Sequence, residues 1–287
     1  MKRVLIFLLL IFSVNLYAKS CKLPSNIAKL VVSSDIYSLK HISDVNRNVN
    51  KLKDKCIFLI RFKEHNFIWK MLLVLNPKKE HGLFWFLPHD NENSAFDSAL
   101  YAIDKYGGGF LSIVNNNRRY NAGQDPNRNF SNANYRVCKE QKASSIKYTN
   151  IIFSIIDYYK YPNYPYLALH NNTNKGGISI LKESIKTKSY FAYPKSQINS
   201  SNPFTDEDNL VYTAGISKNP PSSINKLLKQ GLNVKYEVVN IDNNDCSMSN
   251  YVVLEKGTNN YFNIEAEHKK SRVQKAMIDR LISAIFN

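Results

Sequence analysis

Short apolar runs alternate along the chain with segments in which apolar residues recur every three or four positions. The runs predict β-strands, and the recurring spacing predicts helices. The predicted strands cover 57–62, 67–75, 82–87, 110–114, 166–170 and 234–239. The predicted helices cover 95–103, 144–160, 220–231 and 269–286. Because the two kinds of element alternate, the expected fold class is α/β, with a mixed central β-sheet and helices on both faces.

Two polar segments interrupt this pattern. Residues 22–55 mix polar and apolar residues without a clear period, so we expect an irregular start with short elements. Residues 206–209 have the sequence Asp-Glu-Asp-Asn. Such oxygen ligands suit calcium, but a run of acidic residues more often forms a solvated turn, and we predict a solvated turn here.

The first residues have the features of a secretory signal peptide. The chain starts Met-Lys-Arg, residues 4–14 are nearly all apolar, and the small residue Ala18 offers a cleavage site. The apolar run is too short to span a bilayer comfortably. We therefore predict removal of residues 1–18, a single domain over 19–287, secretion into a bacterial periplasm, and no stable membrane span in the mature protein.

The chain is strongly basic. It has 39 Lys and Arg residues against 23 Asp and Glu, a formal net charge of +16. A basic surface attracts anionic partners. Export argues against nucleic acid and favours an anionic wall polymer or a membrane surface, while a solvated lysine-rich surface without a partner is the simpler alternative. The oligomeric state does not follow from these features.

The four cysteines suggest two disulfides, because the number is even and the protein is predicted to be exported. Four cysteines allow three pairings. We favour Cys21 with Cys56 and Cys138 with Cys246. Free buried thiols are the alternative, and no cysteine spacing predicts a structural zinc site.

A candidate metal-binding pair follows the third predicted strand. His89 and Glu92 lie where the run 82–87 gives way to the first predicted helix. The carboxyl end of a strand is the usual place for a site in an open α/β sheet. Zinc accepts imidazole nitrogen and carboxylate oxygen, and a catalytic zinc has three protein ligands and a water. A lone His-x-x-Glu is a weak signal, so its significance depends on the residues that follow.

Three further segments follow in a suggestive order. They are Asp125-Pro126-Asn127-Arg128-Asn129-Phe130, a predicted strand that ends at His170, and an apolar strand that carries Glu265. His-x-x-Glu at a strand end, Asp-x-Asn-Arg-Asn-aromatic, a second strand-end His and a strand Glu, in that order, resemble the zinc metallocarboxypeptidase family. The resemblance covers most of the chain after residue 82. Pro126 departs from the family, in which Leu is common at this position.

The resemblance implies a zinc-carboxypeptidase-like fold and one zinc ion per chain. His89, Glu92 and His170 would hold the zinc, and Glu265 would be the general base that takes a proton from the zinc-bound water. Such a base fits the chemistry, because zinc lowers the pKa of its water to about 7. Glu267 is a rival base on the same strand face, but Glu265 has the apolar neighbours of the family pattern.

The resemblance also implies residues that contact the substrate. Arg128, with Asn127 beside it, would bind the terminal carboxylate of a peptide, since a guanidinium can hold a carboxylate by two parallel hydrogen bonds. Arg119, with Arg118 as the alternative, would polarise the scissile carbonyl. A tyrosine also acts near the substrate in this family, and the spacing does not choose between Tyr251 and Tyr261.

Other features are similar to the succinylglutamate desuccinylase and aspartoacylase branch of the same fold. They are the Arg119-Tyr120 pair before Asp125 and the segment that begins His170-Asn171. The function hypothesis is therefore a secreted zinc-dependent amide hydrolase, a metallocarboxypeptidase for short peptides such as peptidoglycan stem peptides (muropeptides). A deacylase of N-acyl amino acids and a non-catalytic wall-binding protein of the same fold are the alternatives.

Overall fold

The computed structural model describes residues 21–132, 138, 141–174, 178–181, 184–185, 188–193 and 206–286. Within this part, all named strands belong to one eleven-stranded sheet. The architecture is mixed α/β, as the sequence pattern predicts. The predicted signal peptide and its expected cleavage site after Ala18 lie outside the described residues.

The bounds of the elements are as follows. The strands are β1 (Val31–Ser33), β2 (Cys56–Glu64), β3 (Phe67–Leu75), β4 (Phe84–Leu87), β5 (Gly109–Ile113), β6 (Tyr166–Asn172), β7 (Ser184–Ile185), β8 (Lys188–Tyr193), β9 (Leu210–Gly215), β10 (Val234–Val238) and β11 (Tyr261–Glu267). The α-helices are α1 (Ser25–Ala28), α2 (Ser43–Leu52), α3 (Asn93–Tyr106), α4 (Ile146–Tyr159), α5 (Ser223–Lys229), α6 (Met248–Leu254) and α7 (Ser271–Phe286). Short 3-10 helices cover Ser38–His41 and Pro126–Arg128.

The sheet order is β1-β2-β3-β5-β4-β6-β11-β9-β10-β8-β7. Its centre is parallel, because β5, β4, β6 and β11 pair in the same direction. The predicted hairpin of β2 and β3 is antiparallel and adds to β5 on one side. On the other side, β9 pairs with β11 in the antiparallel direction. The carboxyl ends of the parallel strands therefore meet at one edge of the sheet.

Helices cover both faces of the sheet, and β4 shows how its sequence supports this. Trp85 and Leu87 point into the core under α2, α3, α5 and α7. Phe84 and Phe86 point into the core under α1, α4 and α6. A strand buried on both faces reads as a continuous apolar run rather than an alternating one. This is why the run before His89 was recognisable as a strand.

A glycine turn returns the chain from α3 into the sheet. Gly107 ends α3 with a φ of +79°, and Gly108 follows with a φ of +83°. A Cβ at Gly108 would lie 1.8 Å from the carbonyl oxygen of Leu83. The turn therefore requires glycine, and it places β5 directly beside β4.

Among the elements that the sequence did not predict are β1, α2, β9 and α6. The helix α2 is mostly polar, but Val45, Val49 and Leu52 recur at helical spacing, a short signal that the prediction missed. Tertiary contacts hold this face, since Val45 and Leu52 join the core and Asn48 donates a hydrogen bond of 2.8 Å to Asp97. Helices in proteins obtain most of their stability from such packing.

Both favoured disulfides are present, Cys21–Cys56 and Cys138–Cys246. The first ties the N-terminal arm to β2. The second joins the segment after Arg128 to the loop before α6, across 108 positions of sequence. Among the helices of the described residues, none has the length and apolar character needed to cross a bilayer.

Candidate metal centre

The three predicted metal ligands come from two adjacent parallel strands. His89 and Glu92 lie in the turn between β4 and α3, and His170 lies near the end of β6. Since β4 and β6 are hydrogen-bonded neighbours with the same direction, their carboxyl ends bring these side chains together. The backbone N–H of Ala95 donates to Asn171 Oδ1 at 3.1 Å, which attaches the start of α3 to β6.

The three side chains converge closely. One ligand atom from each lies within 4.8 Å of the other two. His89 Nδ1 is 2.7 Å from Glu92 Oε1, and His170 Nδ1 is 3.5 Å from Glu92 Oε2. All three residues are buried. Both histidines thus present the same ring nitrogen to one carboxylate, and the cluster can hold a metal ion.

The electrostatics of the cluster also fit a cation. Burial alone would raise the pKa of the Glu92 carboxyl, but the imidazoles of His89 and His170 hold it below its ordinary value. The ionised form of Glu92 is therefore favoured. Two imidazole nitrogens and one carboxylate oxygen are the three protein ligands found in many catalytic zinc sites.

Asp125 orients the first histidine, a role that the sequence did not reveal. His89 Nε2 lies 2.9 Å from Asp125 Oδ1, on the side of the ring opposite Glu92. Burial would raise the pKa of Asp125, but His89 and Arg119 hold it below its ordinary value. A carboxylate behind a metal-binding imidazole fixes the ring and makes it a stronger ligand.

Asp125→Asn is expected to weaken metal binding by about 10- to 100-fold, the usual effect of removing such a partner. The amide keeps an oxygen in the place of Oδ1, which accepts from Asn127 N at 2.8 Å and faces His89 Nε2 at 2.9 Å. The variant therefore preserves the turn and removes the negative charge behind the imidazole. Metal titration monitored by a competing chelator measures the change. Asp157→Asn, at an exposed ion pair with Lys256, is the control. An unchanged metal affinity in Asp125→Asn would show that the charge of Asp125 does not support metal binding.

Arg119 lies at the metal centre, whereas Arg118 is exposed. Arg119 Nη1 is 3.3 Å from Glu92 Oε1, and its Nε and Nη2 donate to Asp125 Oδ2 at 3.2 and 3.1 Å. Its side chain is nevertheless 38% exposed. Of the two arginines considered, the structure therefore brings Arg119 to the cluster.

Asn127 lies close to His170, and Arg128 follows Asn127 in the same turn. Asp125 begins the 3-10 turn that contains both, and Pro126 is its first residue, so the proline fits the turn rather than breaking it. Asn127 Nδ2 is 3.5 Å from His170 Nε2. Arg128 Nε pairs with Asp245 Oδ2 at 3.1 Å, and its Nη1 donates to the Asn127 carbonyl at 2.9 Å.

The position of Asp245 could not be read from the sequence. It precedes Cys246, whose disulfide to Cys138 holds this loop near the turn of Arg128. The backbone N–H of Phe130 also donates to the Cys246 carbonyl at 2.9 Å. A covalent link across distant segments thus supplies a carboxylate that orients the guanidinium of Arg128.

Glu265 lies directly beside the second histidine. Its residue on β11 is the register partner of His170 on β6. The side chain is buried, and Asn263 Nδ2 donates to its Oε1 at 2.8 Å. Burial, assisted by the charge of Glu92, raises the pKa of Glu265, while His170 and Asn263 oppose the rise. The strand glutamate singled out from the sequence therefore lies next to the cluster of His89, Glu92 and His170.

Glu267 and the acidic segment form a separate cluster, and the prediction of a solvated turn is wrong. Carboxylate oxygens of Asp206, Asp208 and Glu267 lie within 4.8 Å of one another, and all three residues are buried. Asn209 Oδ1 accepts from the backbone N–H of Glu267 at 2.9 Å, so the segment packs on the end of β11. Burial and these acidic neighbours raise the pKa of Glu267.

Of the two tyrosines considered for a role near the substrate, Tyr251 is partly buried and packs against the core. Its ring stacks on Phe153 at 4.6 Å between centroids. Tyr261 is buried at the start of β11, on the same strand face as Glu265. Burial and the charge of Glu265 raise its pKa well above the ordinary value. Neither tyrosine acquires a role from these contacts.

No protein-family model matches the chain, and no curated protein matches it either. Among solved structures, it matches a protein from Shewanella amazonensis SB2B described as a putative metallopeptidase, with 12% identity and a TM-score of 0.45 over 88% of this chain and 91% of that one. A metallo-carboxypeptidase from Burkholderia cenocepacia matches with 11% identity and a TM-score of 0.43 over 86% of this chain and 67% of that one. Similarities of this size do not assign a family, so the function proposed below rests on the residues of the centre.

Proposed function

We propose that this protein is a zinc-dependent hydrolase of amide bonds, a metallocarboxypeptidase that is secreted into a bacterial periplasm and acts on short peptides. In this proposal residues 19–287 form one catalytic domain with one zinc ion. The observation that supports it most directly is the convergence of His89, Glu92 and His170 next to Glu265.

The ligand set favours zinc over other common cations. Magnesium and calcium prefer oxygen ligands, whereas two of the three side chains here offer imidazole nitrogen. Three protein ligands leave a coordination position open for chemistry. Zinc bound at this centre supplies a Lewis acid and lowers the pKa of a water to about 7.

Two residues beside the cluster supply the remaining chemistry. Glu265 takes the proton from the attacking water and passes it to the leaving amine. Its raised pKa suits this exchange, because a general base works best when its pKa lies nearer the working pH. Arg119 donates to the carbonyl oxygen of the scissile bond, where negative charge develops. Its partly exposed side chain allows this contact.

Arg128 defines the substrate class in this proposal. Its guanidinium is oriented by Asp245 and by the Asn127 carbonyl, and 24% of its side chain is exposed. A guanidinium is the side chain best shaped to hold a carboxylate, so the substrate is a peptide with a free terminal carboxylate. The two disulfides fit an oxidising compartment, and in a periplasm peptidoglycan stem peptides supply such carboxylates.

The test is an incubation of the zinc-loaded protein with wall-derived muropeptides, with the same peptides amidated at the C-terminus, and with N-acyl amino acids. Mass spectrometry identifies the bond that is cut. Loss of a C-terminal residue from muropeptides is the expected result. Turnover of N-acyl amino acids alone would replace the peptidase by a deacylase. A protein that holds no zinc and cuts none of these would support the wall-binding alternative.

Arg128→Ala is expected to raise KM, lower kcat/KM, or both. A hydrogen bond to a charged group contributes roughly 1.5–3 kcal/mol. This free energy corresponds to about a 10- to 160-fold fall in kcat/KM. Steady-state kinetics on the best peptide measures it. Arg118→Ala, which removes an exposed neighbouring cation, is the control and should have little effect.

A peptide amidated at its C-terminus tests whether Arg128→Ala loses its contact with the terminal carboxylate or loses its fold. C-terminal amidation should slow the wild-type protein by a factor similar to that of Arg128→Ala. The variant itself should lose little further, because its partner for the carboxylate has already gone. If amidation harms both proteins equally, Arg128 does not bind the terminal carboxylate.

A further inference from the structure

Asn263 is a buried residue that the proposed chemistry does not yet use. It lies two positions before Glu265 on β11, so both side chains point to the same face of the sheet. Its Nδ2 donates to Glu265 Oε1 at 2.8 Å. The residue is only 4% exposed. It therefore touches the base carboxylate directly and from within the protein.

The second polar atom of Asn263 is not tied to the surrounding protein, as far as the structure describes it. Its Oδ1 is buried and has no hydrogen-bond partner among the described residues. Buried polar atoms are normally paired, and one that is not calls for an explanation such as a catalytic role. Asn233, which immediately precedes β10, shows the ordinary case: its Nδ2 donates to the carbonyls of Asp206 and Asn209 at 2.8 and 3.2 Å, and within the described part of the chain neither of its side-chain polar atoms is buried without a partner.

We infer that Asn263 is a positioning residue for Glu265: its amide holds Oε1 so that the other carboxylate oxygen faces the water and the scissile bond. This deepens the proposed function and rests on it. A carboxylate with two equivalent oxygens can rotate, and a base that rotates spends less time aligned with the proton it removes. When Asn263 holds Oε1 of Glu265, the other carboxylate oxygen stays in position to take the proton from the water.

Glu265 lies close to the metal ligands, so the hydrogen bond from Asn263 has to hold its carboxylate without drawing it towards them. Glu265 is the register partner of His170, so a displaced Glu265 carboxylate could approach the ligands instead of the water. The hydrogen bond from Asn263 comes from the amino-terminal side of β11, away from the cluster at its carboxyl end. It therefore holds the base back without taking part in metal binding.

Two variants test the inference. Asn263→Leu keeps the branched shape but removes the donor, and Asn263→Asp keeps size and polarity but replaces the donor by a repelling carboxylate. Both are expected to lower kcat by about 10- to 100-fold, with KM and zinc content close to wild type. Asn233→Leu is the matched control, which should lower thermal stability and leave kcat unchanged.

A second readout needs no substrate. In protein loaded with Co²⁺, the visible absorption follows ionisation beside the metal as pH is varied. Without its donor, Glu265 holds its proton more firmly, so the midpoint should move to higher pH in Asn263→Leu and further in Asn263→Asp, but not in Asn233→Leu. This readout decides the inference even where the peptide substrate has been chosen wrongly.

The outcomes are distinct. Wild-type kcat together with a wild-type cobalt midpoint in Asn263→Leu would overturn the positioning role. Loss of folded protein or of zinc in both Asn263 variants would make the residue structural and also overturn it. Wild-type protein that binds no metal would overturn the proposed function itself, and this inference with it.

Discussion

His170→Ala is expected to empty the metal centre and abolish hydrolysis. The remaining His89 and Glu92 both come from one turn, and two ligands on one side hold zinc poorly, whereas a catalytic zinc needs three protein ligands. The loss of affinity should exceed the roughly 100-fold that marks the upper range for residues that only orient a ligand. Metal analysis of purified protein measures it, with about one zinc per chain expected in the wild type.

The same result is expected for His89→Ala and Glu92→Ala. His268→Ala is the control, because this exposed histidine follows β11 and is not part of the cluster. His170→Ala also leaves Glu92 with one imidazole partner fewer in a buried site, so thermal stability should be compared alongside. A His170→Ala protein with full zinc and full activity would show that the ligand set is wrong.

The convergence of His89, Glu92 and His170 was largely predictable because its parts are local. His89 and Glu92 belong to one turn, and the apolar run before them and the helical spacing after them mark that turn as the end of a buried strand. His170 ends another such run. Once two parallel strands are assumed to be neighbours, their carboxyl ends must lie together. The observed pairing of β4 with β6 fulfils that assumption.

The supporting residues were less predictable, because their roles depend on long-range contacts. Asp245 reaches Arg128 through a loop placed by a disulfide, and no periodicity encodes that. The burial of 206–209 depends on packing against β11, so composition alone suggested solvent exposure. Asn263 is the exception. A period of two on one strand places it on the face of Glu265, and that signal was available in the sequence.

The rival carboxylates differ in surroundings more than in sequence. Glu265 and Glu267 share a strand face, but Glu265 lies opposite His170 and next to Asn263, whereas Glu267 joins Asp206 and Asp208. Burial raises the pKa of both carboxyls, assisted by Glu92 at Glu265 and by Asp206 and Asp208 at Glu267. The position beside His170 therefore separates them, not the direction of the pKa. In the proposed mechanism, Glu265 is therefore the better placed of these two carboxylates to act as the base.

Glu265→Gln is accordingly expected to keep zinc and lose turnover. The amide has the same shape and removes no metal ligand, but it cannot accept a proton from water, so kcat should fall by about 10²- to 10⁴-fold, the usual contribution of a positioned general base. Glu267→Gln should change kcat little, because that carboxylate lies in the other cluster. Zinc content and steady-state kinetics on the same peptide separate the two variants. Glu265→Gln with near wild-type kcat, beside an inactive Glu267→Gln that still holds zinc, would assign the base to Glu267, and the buried acidic cluster would then belong to the reaction.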